Sequence, residues 1–187
     1  MEFDIENHRR EFPHTAVQIV EGRLYGVFLI GNMYKRKIPF HGSYPPHYLD
    51  RIYSLFPNRK STLHLFSGAV IAGPNEYTLD ISPEFNPDVL GNAEEVDNYF
   101  PPESFNLVLA DIPYTTKDCE IYGCKMPNVP KTIRALSEIV EAGGIVVWLS
   151  TKIPMYRKDQ WNFAGVVGLH CGTNRAFRAI TFLRRRS

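Results

Sequence analysis

The chain has 187 residues, 44% of them apolar and 22% charged, and carries a net charge of +1. That length suits one domain with a real core, and so balanced a charge excludes a protein that grips nucleic acid by a uniformly basic surface. No apolar run approaches the roughly 18–20 residues of a membrane span, the charged start MEFDIENHRREF lacks a signal-like apolar stretch, and the odd count of three cysteines points to a reducing, cytoplasmic setting rather than a disulfide scaffold.

Residues 1–44 are expected to form short strands and loops: VQIVEG, then LYGVFLIG, followed by the basic cluster Lys35-Arg36-Lys37. A helix is predicted from Pro45, with proline tolerated in its first turn. Tyr48, Leu49, Ile52, Leu55 and Phe56 recur at helical spacing, and Pro57-Asn58 ends it. Strand and helix then alternate. STLHLF (61–66) reads as a strand running into the small-residue turn Ser67-Gly68-Ala69, and EYTLDI (76–81) as a strand ending at an acid. FNLVLADI (105–112) is the nearly continuous apolar run of a strand buried on both faces. Asn128 caps a helix with Pro130 in its first turn and Ile133, Leu136, Ile139 and Val140 on its apolar side; Gly143-Gly144 stops it before the strand IVVWLS (145–150). FAGVVGLH, a turn at Gly172-Thr173-Asn174, and AFRAITFLRR read as a closing hairpin. The expectation is an α/β chain: one domain over 1–187, an N-terminal segment (1–44) and a core (45–187). Its architecture would be a three-layer Rossmann-like sandwich, a mostly parallel sheet with a C-terminal antiparallel hairpin.

In a doubly wound sheet, ligands sit beyond the carboxyl ends of the strands, where the chemically interesting residues fall. Phe66-Ser67-Gly68 lets backbone approach a ligand closely. Asp80 is placed to accept the ribose hydroxyls of a nucleoside-type cofactor, with Ile81 beside it, or else to cap the next helix. Gly91-Asn92-Ala93 is placed to meet an adenine ring. Asp111-Ile112-Pro113-Tyr114 ends the most buried strand, as a catalytic turn or as a plain proline turn. Each is common alone; their order and spacing together point to a cofactor-dependent enzyme.

These residues make the chain resemble the amino-group DNA methyltransferases, which modify adenine N6 or cytosine N4 through an Asp/Asn-Pro-Pro-Tyr/Phe motif. Asp111-Ile112-Pro113-Tyr114 matches that motif except at its second place. His41-Gly42-Ser43-Tyr44-Pro45-Pro46 and the helix leading into LHLFSG resemble the family's cofactor segment, and GGIVVWLST and the hairpin also fit, over residues 38–185. The family turn Asp-Pro-Phe-X-Gly-X-Gly is here His64-Leu65-Phe66-Ser67-Gly68-Ala69-Val70, without the leading acid and the last glycine.

The resemblance implies S-adenosylmethionine as cofactor, held by His41, Ser43, Phe66, Ser67, Gly68, Asp80, Ile81, Asn92, Ala93 and Asp111. It implies catalysis by Asp111 and the Ile112 carbonyl, which would grip a delocalised, poorly nucleophilic amine by its two N–H groups, with Pro113 shaping the turn and Tyr114 stacking on the base. The expected partner is DNA, single-stranded or with the base flipped out, at a cost comparable to what stacking returns. Tyr114, Lys117 and Tyr122, with Arg175 and Arg178 of the hairpin, are the candidate substrate contacts; the bland reading of TTKDCEIYGCKMP (115–127) is a solvated lid. Cysteine chemistry at a ring carbon is set aside because none of Cys119, Cys124 or Cys171 follows a proline, and their spacing with His170 matches no common zinc site, so no metal is expected. Alternatives are an N4-cytosine enzyme, a methyltransferase for RNA, protein or a small molecule, and a non-catalytic subunit. No membrane association is expected; a homo-oligomer or a separate recognition subunit would fit, in the cytoplasm of a prokaryote or a phage-infected host.

Overall fold

The structure is a computed structural model that describes residues 1–31, 42–121, 124–172 and 176–187. The basic cluster Lys35-Arg36-Lys37 lies outside the described residues. The chain opens with a helix the sequence did not lead us to expect, α1 (Ile5–Glu11), capped by Asp4, which accepts from the Asn7 amide at 2.9 Å. Its one fully buried residue is His8, bonded to Ser54 Oγ at 2.7 Å and Thr15 Oγ1 at 2.9 Å. A histidine in the anchoring position leaves no apolar period to read.

Strands β1 (Ala16–Val20) and β2 (Arg23–Leu29) form an antiparallel hairpin. The next helix, α2 (Tyr48–Leu55), starts three residues later than Pro45, because His47 before it turns left-handed at φ 57°. Pro45 and Pro46 therefore stay outside the helix. Then come β3 (Thr62–Leu65), β4 (Glu76–Asp80), the two-residue β5 (Val89–Leu90) and β6 (Phe105–Asp111). A short helix, α3 (Thr116–Ile121), occupies part of the segment expected to be a loop. Asn128 caps α4 (Val129–Ile139) as expected, accepting from the Lys131 amide at 3.1 Å. The helix ends at Ile139 rather than at Gly143-Gly144. Val140 already pairs with Phe105, so both glycines fall inside β7 (Val140–Ser150), next to a register shift. The hairpin of β8 (Trp161–His170) and β9 (Arg178–Arg185) closes the chain.

One nine-stranded sheet runs β1-β2-β8-β9-β7-β6-β3-β4-β5. Its pairs are parallel except β1–β2, β7–β9 and β8–β9. Side chains alternate across the central strands and divide the core in two. Leu107, Leu109, Ile145 and Val147 pack with Ile52, Leu55 and Phe56 of the α2 side, whereas Val108, Ala110, Val146 and Trp148 pack with Ile133, Leu136 and Ile139 of α4. Helix, sheet and helix make the three layers. Strand β3 has β4 on one side and β6 on the other, so the connections diverge there and leave a crevice at the carboxyl ends. No helix among the described residues is long and apolar enough to cross a membrane.

The N-terminal hairpin joins the sheet by the parallel pairing of β2 with β8, where Gly165 lies opposite Leu24. Gly165 has φ +154°, and a Cβ built on it would sit 2.2 Å from the Leu24 carbonyl oxygen. Gly165→Ala should therefore destabilise the fold by about 1–3 kcal/mol in urea unfolding. An unchanged midpoint would show that the hairpin contributes little there.

Candidate functional site

Beyond the carboxyl ends of β3, β4, β6, β7 and β8, and at the start of the antiparallel β9, lies a cavity of about 1010 Å³. Single-ligand pockets run from roughly 300 to 1,000 Å³, so this one has room for a cofactor-sized molecule and part of a second. Its walls come from the 42–46 segment, the turn after β3, the ends of β4 and β6, the 91–94 stretch, Thr151 and the start of β9.

The turn after β3 is bent by two left-handed residues, Phe66 at φ 57° and Gly68 at φ 52°. Phe66 is strained there, since its Cβ crowds the backbone; its ring packs edge-on against Trp148 with centroids 6.3 Å apart. The Ser67 amide bonds the Leu79 carbonyl at 3.1 Å. Asp80 then clamps the turn: one carboxylate oxygen accepts from the Gly68 amide and the other from the Ser82 amide, both at 2.8 Å. Gly68 permits a close crossing, because a Cβ there would lie 2.1 Å from the Gly42 carbonyl oxygen. The Ser67 hydroxyl is buried without a hydrogen-bond partner among the described residues, on a residue that lines the cavity. An orphaned polar atom in such a place is what a bound ligand satisfies.

At the end of β6 the cavity meets Asp111. Burial pushes its carboxyl up to about pKa 6, against the opposing pull of the Tyr114 hydroxyl and the Arg178 charge. The Tyr114 hydroxyl donates to Asp111 Oδ1, and Arg178 Nη1 donates to the Tyr114 hydroxyl at 3.1 Å. The guanidinium also lies 5.6 Å from the Tyr114 ring centre and donates from Nη2 to Cys171 Sγ at 3.0 Å. Tyr44, on the cavity wall, donates to the Leu109 carbonyl at 3.2 Å and stacks on Tyr48 at 5.2 Å.

Ser43, Phe66, Ser67, Gly68, Asp80, Ile81, Asn92, Ala93, Asp111, Ile112, Pro113, Tyr114 and Arg178 all line this one cavity. His41, Tyr122 and Arg175 lie outside the described residues. Lys117 is exposed on α3 and off the cavity wall, where Lys125 stands instead. Arg178 is bonded to Tyr114 and Cys171, and Tyr114 is tied by its hydroxyl to Asp111. The Asn92 side chain caps its own short helix through the Glu94 amide at 3.0 Å. Tyr44, Phe85, Cys124 and Cys171 also line the cavity. Only Tyr44 had a signal, its place in HGSYPP. Burial and the neighbouring Cys119 thiol push Cys124 up to about pKa 11, which keeps it a neutral thiol.

No protein-family model matches the chain, and no curated protein is similar to it in sequence. Solved structures share its fold. The N-methyltransferase NodS of Bradyrhizobium japonicum, crystallised with S-adenosyl-L-homocysteine, aligns with a TM-score of 0.54 at 10% identity over 82% of this chain and 94% of its own. The protein yhhF of Escherichia coli aligns at 0.51 and 16% over 81% and 93%. TrmN of Thermus thermophilus aligns at 0.51 and 14% over 67% of this chain, and the match spans only 43% of TrmN. At these identities the likeness is one of fold: a Rossmann-like α/β sheet of the kind found in methyltransferases.

The raised Asp111 carboxyl sets a sign for stability. A folded-state pKa above the ordinary carboxylate value favours folding at low pH, and that contribution is lost as pH rises through about 6. Asp111→Asn should therefore raise stability at about pH 8 by on the order of 1–2 kcal/mol, partial solvent access allowed for, with the gain shrinking toward zero near pH 4. Loss of stability at the higher pH would mean that the ionised carboxylate is well compensated.

Proposed function

We propose that this protein transfers a methyl group from S-adenosylmethionine to an exocyclic amino group of a nucleobase, with adenine N6 in DNA as the leading target. The observation that carries the reading is the single cavity that joins the Phe66-Ser67-Gly68 turn and Asp80 to Asp111-Ile112-Pro113-Tyr114. Cofactor-type and amine-type features thus face one space.

The chain's residues fit the cofactor. Ser67 offers its orphaned hydroxyl, Gly68 leaves the backbone bare, and Asp80 keeps spare lone pairs on both oxygens beyond the amide bonds it accepts. Leu79, Ile81, Phe85 and Ala93 provide an apolar slot for an adenine ring. When bound, the cofactor supplies an electrophilic methyl carbon. The protein's task is to present a nitrogen whose lone pair is freed from its ring. The Asp111 carboxylate and the Ile112 carbonyl would each accept one N–H, favouring a pyramidal nitrogen by positioning and electrostatics, without a covalent intermediate. The neutral Cys124 thiol fits amino rather than ring-carbon chemistry, which needs a thiolate.

The test is incubation with methyl-labelled S-adenosylmethionine and DNA in duplex, mismatched and single-stranded forms, followed by digestion to nucleosides. Label in N6-methyladenine is the expected result. Label in N4-methylcytosine would keep the amino chemistry and change the base; label in 5-methylcytosine would contradict the mechanism. Asp111→Ala should cut transfer by about 10²–10³-fold while calorimetry shows cofactor affinity nearly unchanged. Gly68→Ala should do the reverse at the first step, weakening cofactor binding by at least about tenfold through its clash with Gly42. With the wild type, kcat/KM should fall below a pH of about 6, where Asp111 takes up a proton and loses acceptor strength.

A further inference from the structure

Of the two cationic residues described on the cavity wall, Lys125 and Arg178, the second has both terminal nitrogens bonded to neighbouring side chains. Arg178, the first residue of β9, is linked to Asp111 by hydrogen bonds through a tyrosine: its Nη1 donates to the Tyr114 hydroxyl at 3.1 Å, and that hydroxyl donates to Asp111 Oδ1. Its other terminal nitrogen is held by Cys171 Sγ at 3.0 Å. Both arms of the guanidinium are thus fixed by residues from the segment after β6 and the end of β8. We propose that Arg178 is a positioning residue that acts on Asp111 through Tyr114, keeping the carboxylate ionised and aimed into the cavity ahead of the substrate amine. The role rests on the reading of Asp111 as the amine's acceptor.

The physics of the chain gives it a direction. A hydroxyl that accepts from a guanidinium becomes a stronger donor to the next oxygen, so the two bonds reinforce one another. The groups facing Asp111 from neighbouring elements are Tyr114 and Arg178, with Tyr44 of the 42–46 segment and Tyr48 of α2. Burial and the nearby Asp111 charge raise both of those tyrosines well above their ordinary range, so they remain neutral. Arg178 is therefore the cation acting on that carboxylate among the described residues. Tyr114 leaves the remaining carboxylate lone pairs open to an incoming N–H, since an ionised carboxylate has about four acceptor sites. A substrate phosphate would have to take Arg178 from two partners it already has.

The test reads the carboxyl directly. Carbon-13 NMR titration of Asp111 in the whole chain should show its midpoint rising by about half to one pH unit in Arg178→Gln, which corresponds to a three- to tenfold change in the ratio of ionised to protonated carboxyl. Arg178→Lys, which keeps the charge, should return most of the shift. Tyr114→Phe should also raise the midpoint, and Arg178→Gln added to it should move it less than it does in the wild type, because only the direct pull of the charge is then left to lose. An unmoved midpoint in folded Arg178→Gln would overturn the proposal, as would an undiminished Arg178→Gln effect in the Tyr114→Phe background. In transfer assays the acid limb of kcat/KM should move with the carboxyl. A rise in KM and a weaker salt dependence with the limb in place would assign Arg178 to substrate phosphate instead. Wild-type protein with no transfer activity but the expected titrations would sink the proposed function and leave the coupling standing.

Discussion

The carboxyl of Asp111 occupies a place where an ion is poorly tolerated, at the end of a strand whose other six residues are all buried. Desolvation favours the proton, and the Tyr114 hydroxyl and Arg178 oppose it. The balance falls near pH 6, so the group is ionised in neutral solution yet held in surroundings of low polarity. There a hydrogen bond to a carboxylate is stronger than it is in water. The antiparallel β9 starts at this end of the sheet and so brings Arg178 near that carboxyl, where its charge favours the ionised form.

The other half of the cavity depends on a different device. Left-handed backbone at Phe66 costs on the order of 1–3 kcal/mol. The surroundings offset it by packing that ring against Trp148 and by tying the following amides to Leu79 and Asp80. Asp80 is thus structural and exposed to the cavity at once. A turn held rigid in this way presents bare backbone and an unpaired serine hydroxyl to whatever enters, with no rearrangement needed.

Much of this was legible in the chain. Strands β3 and β6 announce themselves as short, largely apolar runs before turn residues or an acid, β4 as a mixed run ending at an acid, and Asn128-Val129-Pro130 marks the start of α4. Because ligands collect at the carboxyl ends of such strands, Asp80 and Asp111 could be placed before any coordinates. What could not be read was tertiary. The anchor of α1 is His8, a polar letter in a polar segment. The pairing of β2 with β8 joins residues some 140 positions apart, and the link between Tyr114 and Arg178 spans 64. Pro45-Pro46 read as a helix start because proline suits a first turn, whereas the left-handed His47 delays the helix and frees them for the cavity wall. Gly143-Gly144 resembled a stop signal because a glycine pair inside a strand is unusual, and only the register shift beside Phe105 accounts for them.

The division of the core into two apolar faces carries a consequence for how such a protein can diversify. Neither set of packed side chains includes Lys125, Thr151 or Ala176, which stand on the connections around the cavity mouth. The chemistry at those three positions is therefore separate from the packed core, and it can be exchanged like the interchangeable head of a tool while the handle is kept. A laboratory seeking a new acceptor molecule would randomise Lys125, Thr151 and Ala176 and leave the sheet, the 111–114 turn and Cys171 untouched.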